Sequence, residues 1–115
     1  MRVRLTRPTC LRATVTPPGD KSISHRALIL NALAEGTARL SNLSPGADCA
    51  ATLRCLRALG VPIDQDPSDS SSLVVVGRGR ELQEPQAVLD AGNSGTTLRL
   101  LAGAVAAQPF LTVLT

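Results

Sequence analysis

At 115 residues the chain is long enough for one domain of common size and too short for two. With 43% hydrophobic and 18% charged residues it has the material for a buried core and does not read as disordered. A single aromatic residue, Phe110, excludes a base-stacking nucleic-acid platform, and the +3 formal charge is scattered with no basic run for nucleic acid or membrane. Cys10, Cys49 and Cys55 form no CxxC pair and are read as core thiols, and a lone His argues against structural zinc. No run reaches about eighteen apolar residues, and Met1-Arg2-Val3-Arg4 lacks the apolar core of a signal peptide. The expectation is a reduced, soluble, cytoplasmic protein.

In chain order, residues 2–6 and 11–16 alternate apolar and polar residues and read as short strands, broken by Pro17-Pro18-Gly19. Asp20 or Ser22 caps a helix running to about Ala34, with Ile23, Ala27, Leu30 and Ala34 as its inner stripe, widened by Leu28, Ile29 and Leu33. Thr37 to Leu43 reads as a strand. A second helix begins with Asp48 as cap and ends at Gly60, with Cys49, Leu53 and Leu56 inward and Arg54 and Arg57 toward water. Val61–Asp64 and Ser72–Val76 are strand candidates around a polar, mobile loop from Gln65 to Ser71. Val88–Asp90 is a further short strand. It leads through Gly92-Asn93-Ser94-Gly95 into a helix over about 95–106, with Leu98, Leu101, Ala102 and Val105 at core spacing, and Phe110–Leu114 is a last strand. The order gives an α/β unit of βαβαββ type over about 17–85, with a second begun near 87. Half a second unit and an apolar end read as the N-terminal piece of a larger fold.

Two loops have the chemistry of anion sites. Gly19-Asp20-Lys21-Ser22-Ile23-Ser24 turns into a helix whose first N–H groups lack partners and whose dipole end is positive. Lys21 adds a compact charge able to handle a proton, Ser22 and Ser24 add donors, and Arg26 sits one turn on. Lys21 is the only Lys beside eleven Arg, so its type is a choice rather than a habit of the chain. Gly92-Asn93-Ser94-Gly95-Thr96-Thr97 repeats the arrangement, and Gly95 admits a ligand close to the backbone. Against this stand plainer readings: both loops as helix caps, His25 as a surface or hydrogen-bonded helix residue, Asp48 as cap first and ligand contact second. Neither GxxxxGK[ST] nor GxGxxG is present.

The stretch Pro18-Gly19-Asp20-Lys21-Ser22-Ile23-Ser24-His25-Arg26-Ala27 closely resembles the N-terminal signature of the 5-enolpyruvylshikimate-3-phosphate (EPSP) synthases. Leu33-Ala34-Glu35-Gly36-Thr37, Asn42-Leu43, Leu56 to Val61 and Gly92 to Arg99 follow in that family's order and spacing, from about residue 17 to 115. The enolpyruvyl transferases acting on UDP-N-acetylglucosamine share the fold but typically carry Lys-Asn where this chain has Lys21-Ser22.

The resemblance implies an inside-out α/β barrel built from repeated βαβαββ units, and a transferase of the shikimate pathway to aromatic amino acids. Its reaction moves the enolpyruvyl group of phosphoenolpyruvate (PEP) to the 5-hydroxyl of shikimate 3-phosphate, without cofactor or metal. By motif position Lys21 would contact both substrates, Ser22 and Arg26 would hold shikimate 3-phosphate, and Asn93, Gly95, Thr96 and Asp48 would line the PEP pocket that the inhibitor glyphosate also occupies. A methyl group at position 95 would intrude there. Leu100 departs from the Pro of many members. The family's proton-transfer carboxylates and further cationic clamps fall beyond residue 115. A non-catalytic anion-binding module keeping one wall of the site therefore stands beside the enzyme reading, and the apolar end at Phe110–Thr115 offers a strand for self-association.

Overall fold

The computed structural model describes residues 1–115, the side chains of Ser70 and Ser71 excepted. Among the described residues three helices and three strands follow in the order α1 (Lys21–Leu33), β1 (Glu35–Leu40), α2 (Ala47–Ala58), β2 (Ile63–Asp66), β3 (Asp69–Arg78) and α3 (Gly95–Val105). The long β3 lies at the centre of the sheet, antiparallel to both neighbours, in the order β1-β3-β2. β1 and β2 therefore run the same way, joined by α2 as a crossover, and β3 fills the gap between them. Thr37 pairs with Val76 on one edge and Ile63 with Val75 on the other. α1 packs on β3 and meets both α2 and α3.

Local chemistry fixes the element ends. Asp20 caps α1 by accepting the Ile23 N–H through Oδ1 at 2.7 Å. α2 ends in a Schellman arrangement: Gly60 adopts φ +80°, its N–H reaches Arg57 O at 3.0 Å, and the Val61 N–H reaches Leu56 O at 3.1 Å. Val61 and Leu56 then meet in the core, together with Leu28, Ile29, Ala32, Cys55, Leu59, Ile63, Val75, Leu82, Leu89 and Leu101.

Several expected features differ. Residues 1–18 are exposed and form no strand: no strand among the described residues pairs with them. The polar loop expected from Gln65 to Ser71 is largely a hairpin that turns at residues 67–68. The Asp66 carboxylate, buried there, accepts from Ser68 N and Oγ and pairs with Arg39 of β1 at 2.7 Å. The expected stripe of α1 is rotated: Ile23 and Leu30 are 61% and 63% exposed, while Ser24, His25, Leu28, Ile29 and Ala32 are buried. In α3, Thr97 and Leu101 go inside and Leu98 stays out. The reason is shared. Ser24, His25 and Thr97 find hydrogen-bond partners on other elements, so polar side chains take interior positions that a polarity pattern assigns to the surface. The strands expected at 88–90 and 110–114 reduce to a short parallel pairing of Leu89 with Leu114. Leu89 N donates to Val113 O, Thr115 N to Leu89 O, and Ala91 N to Thr115 O.

Candidate functional site

The first turns of the three helices meet at one corner of the molecule. Lys21, the first residue of α1, donates from Nζ to Asp48 Oδ2 at 3.0 Å. Asp48 is the second residue of α2, whose cap is Gly46, so the cap expected at Asp48 is instead a first-turn carboxylate facing α1. Its main-chain oxygen accepts from Thr97 Oγ1 of α3 at 3.2 Å. Ser94 caps α3 through a 3.1 Å bond from Thr97 N. Three positive helix ends are thereby brought together, and α2's has no side-chain cap.

Lys21 is half exposed, with 53% of its side chain open, and Asp48 is 32% open. The Asp48 hydrogen bond, and then its charge, hold the Lys21 ammonium above its ordinary pKa. The pairing favours the charged form of Lys21. Ser22, Arg26 and Asn93 are exposed and Thr96 partly so, and none has a side-chain hydrogen bond or ion pair to another described residue. Ser22 and Arg26 ride on α1 with Lys21, and Asn93 and Thr96 flank the start of α3. Gly95 is open to solvent, with Arg99 beside it: a Cβ there would lie 3.0 Å from Arg99 Nη1. In the sequence only its place at the end of the Gly92–Arg99 motif marks Arg99. Its place over Gly95, one helical turn on, adds a cation to the α3 side.

Beneath this surface lies a polar chain that no sequence signal beyond residue type marks. His25 is fully buried, and its Nδ1 lies 2.8 Å from Thr52 Oγ1 of α2. Thr52 Oγ1 lies 2.8 Å from Thr97 Oγ1. His25 is thus a hydrogen-bonded helix residue, in the interior rather than at the surface. Burial pushes its imidazole below the usual pKa, with lesser opposed effects from Asp48 and Lys21. Ser24 Oγ bridges from Asp20 O (2.7 Å) to the Ser44 N–H (2.8 Å), tying the entry of α1 to the loop before α2. Cys49 is buried beside the corner, its Sγ 3.8 Å from Lys21 O, and burial raises its thiol pKa, so it sits there as an inert thiol. Among the described residues no three His, Cys, Asp or Glu gather as a metal site, and no helix is long and apolar enough to cross a membrane.

The corner belongs to an α/β unit that collects three helix N-termini, one lysine and small hydroxyl residues on one side. The family model of EPSP synthase (3-phosphoshikimate 1-carboxyvinyltransferase) matches residues 5–115. A 3-phosphoshikimate 1-carboxyvinyltransferase of Herpetosiphon aurantiacus is 57% identical over 106 residues, covering 91% of this chain and 24% of that protein. One of Chloroflexus aurantiacus is 52% identical over 113 residues, covering 98% and 26%. The solved EPSP synthase from Acinetobacter baumannii superposes with a TM-score of 0.81 at 41% identity, over 88% of this chain and 23% of that one. The chain belongs to the EPSP synthase family. It spans about a quarter of the length of the curated relatives it matches.

Proposed function

We propose that these residues form the N-terminal wall of the active site of an enzyme that transfers the enolpyruvyl group from PEP to the 5-hydroxyl of shikimate 3-phosphate. The observation that supports it most is Lys21, the chain's single lysine, held as a cation where the first turns of α1, α2 and α3 meet. In this reading Lys21, Ser22 and Arg26 hold shikimate 3-phosphate, and Lys21, Asn93, Gly95, Thr96 and Asp48 line the place of PEP and of glyphosate. The reaction adds a proton to the PEP methylene while the 5-hydroxyl of shikimate 3-phosphate gives up its own proton and its oxygen joins C2. The resulting tetrahedral adduct then expels phosphate and returns the methylene proton. Both substrates are multiply charged anions. The wall contributes fixed cations and helix N–H groups that offset their repulsion and hold them in reacting distance. It needs no cofactor in this reading, and the enzyme works in the cytoplasm.

The carboxylates nearest Lys21 are already engaged, Asp20 as the cap of α1 and Asp48 with Lys21 itself. By itself the 115-residue chain therefore binds substrate without turning it over, and proton transfer falls to groups outside it. The test is phosphate release from PEP and shikimate 3-phosphate by a chimera in which these residues replace the matching quarter of a full-length relative. Turnover is expected in the chimera and not in the 115-residue chain. Lys21→Met is expected to lower the chimera's kcat/KM by at least about a hundredfold, the scale on which removing one preorganised charge acts. An active Lys21→Met chimera would refute the assignment of Lys21.

A further inference from the structure

His25, Thr52 and Thr97 are each completely buried, on three different helices, and their polar atoms join in a line. From Thr97 Oγ1 the line continues to Ser94 Oγ at 2.8 Å and to the main-chain oxygen of Asp48 at 3.2 Å. The donors can be assigned. The Asp48 oxygen only accepts, so the single Thr97 hydroxyl proton lies on that side, shared between the Asp48 oxygen and Ser94 Oγ. Thr52 then gives its proton to Thr97, and His25 gives the Nδ1 proton to Thr52. His25 Nε2 is buried with no partner. As the unprotonated nitrogen of a neutral imidazole it leaves only an acceptor bare, whereas the other tautomer would bury an orphaned N–H. One direction along the line thus gives the Nδ1–H and the hydroxyl protons of Thr52 and Thr97 an acceptor each. Burial disfavours the imidazolium, in keeping with that assignment.

Every member of the line is a chain neighbour of a residue in the proposed site or lies one turn from it. His25 precedes Arg26 and follows Lys21 by one turn, Thr97 follows Thr96, and the far end is the main chain of Asp48, whose side chain holds Lys21. Valine would fill the space of either threonine, and a buried polar chain gains little stability over an apolar filling. What it adds over such a filling is direction, since hydrogen bonds fix orientation where methyl contacts tolerate sliding.

We propose that His25, Thr52 and Thr97 are positioning residues that set the α1 wall of the site (Lys21, Ser22, Arg26) at a fixed distance from the α3 wall (Asn93, Gly95, Thr96). This rests on the function proposed above. The Thr52 hydroxyl is the joint between the two walls. Thr52→Val keeps the volume and removes the joint, whereas Thr52→Ser keeps the joint and removes a methyl. In the chimera, Thr52→Val is expected to raise the KM for PEP about tenfold with kcat changed less than about threefold, and Thr52→Ser to stay within about twofold of the parent. A role in packing alone predicts the reverse order, with Ser worse than Val. Equal KM values in the parent and Thr52→Val, or Ser as impaired as Val, would overturn the proposal.

A second readout does not depend on turnover. In the chimera labelled with 15N-histidine, the signal lost in His25→Gln identifies His25. Its shifts are expected to report a neutral imidazole protonated at Nδ1, and Thr52→Val is expected to move the Nδ1 resonance. An Nε2–H tautomer would overturn the line of donors. A chimera without activity but with the Nδ1–H signal would instead count against the proposed reaction and leave the line standing.

Discussion

His25 shows at the scale of one residue how burial turns into a pH dependence. Its imidazole is fully buried and its pKa is lowered, first by desolvation. Above the unfolded value of 6.5 neither folded nor unfolded chain holds the extra proton, and the full stability is present. As pH falls through that value the unfolded chain takes up a proton that the folded chain refuses, and stability is lost until the folded pKa is reached. The loss amounts to at most about 1.4 kcal/mol per pH unit for one group. Urea midpoints of the 115-residue chain measured between neutral pH and pH 5.5 are therefore expected to fall for the parent, and to fall less steeply for His25→Gln. Parallel slopes would show that His25 does not carry the effect. Lys21 works the other way: the Asp48 hydrogen bond and charge raise its pKa, so Lys21 adds no titration of its own to binding near neutrality. The lone histidine was legible as a hydrogen-bonding residue. Its depth was not, because depth depends on Thr52 and Thr97, which lie 27 and 72 positions away in the chain.

Two glycines separate structural from functional demands at the scale of the elements. Gly19 precedes α1 and packs against the main chain of Asn42, Leu43 and Ser44, so a Cβ at 19 has no room and meets atoms that cannot rotate away. Gly95 opens α3 and would meet only the mobile end of Arg99. Gly19→Ala is expected to cost about 2–3 kcal/mol, near the upper range for overpacking, whereas Gly95→Ala should change stability by less than about 0.5 kcal/mol. Thermal denaturation of the two variants checks this, and equal losses would contradict it. Because the fold tolerates Gly95→Ala, its effect on ligands can be read cleanly: in the chimera the Ki of glyphosate should rise more than the KM of PEP. The helices themselves were legible from their caps and stops, Asp20, Gly60 and Ser94. Their rotation was not. In α1 the periodicity offers Ile23 and Leu30 as readily as Leu28 and Ile29, and only the partners of Ser24 and His25 decide between the two faces.

The molecule as a whole exposes apolar surface that its own 115 residues do not cover. Its radius of gyration is 17.5 Å, against about 13 Å for a compact chain near this length, and residues 1–18 are exposed throughout. Val3, Leu5, Leu11 and Val15 lie open in that arm, Ile23 and Leu30 on α1, and Leu111 and Val113 beside the C-terminal pairing. An open strand edge with apolar neighbours favours pairing with another chain. The isolated 115-residue chain is expected to associate with rising concentration in sedimentation velocity, and Leu111→Lys with Val113→Lys to shift it toward monomer. A parent that stays monomeric at every concentration would contradict the expectation.

Taken alone, the sequence determined the family and the helices, with the caps of α1 and α3 though not that of α2, and it named Lys21, Ser22, Arg26, Asn93, Gly95 and Thr96 as candidates, because short motifs and capping chemistry are local. Tertiary structure alone decided that Asp48 holds Lys21, that Arg99 lies over Gly95, and that His25, Thr52 and Thr97 join beneath them. It also left residues 2–6 and 11–16 without the strands their alternation suggests. The physical reason is common to all of these. A strand, an ion pair or a buried polar line exists only when a partner from a distant part of the chain arrives, and alternation or residue type at one position does not say whether it does.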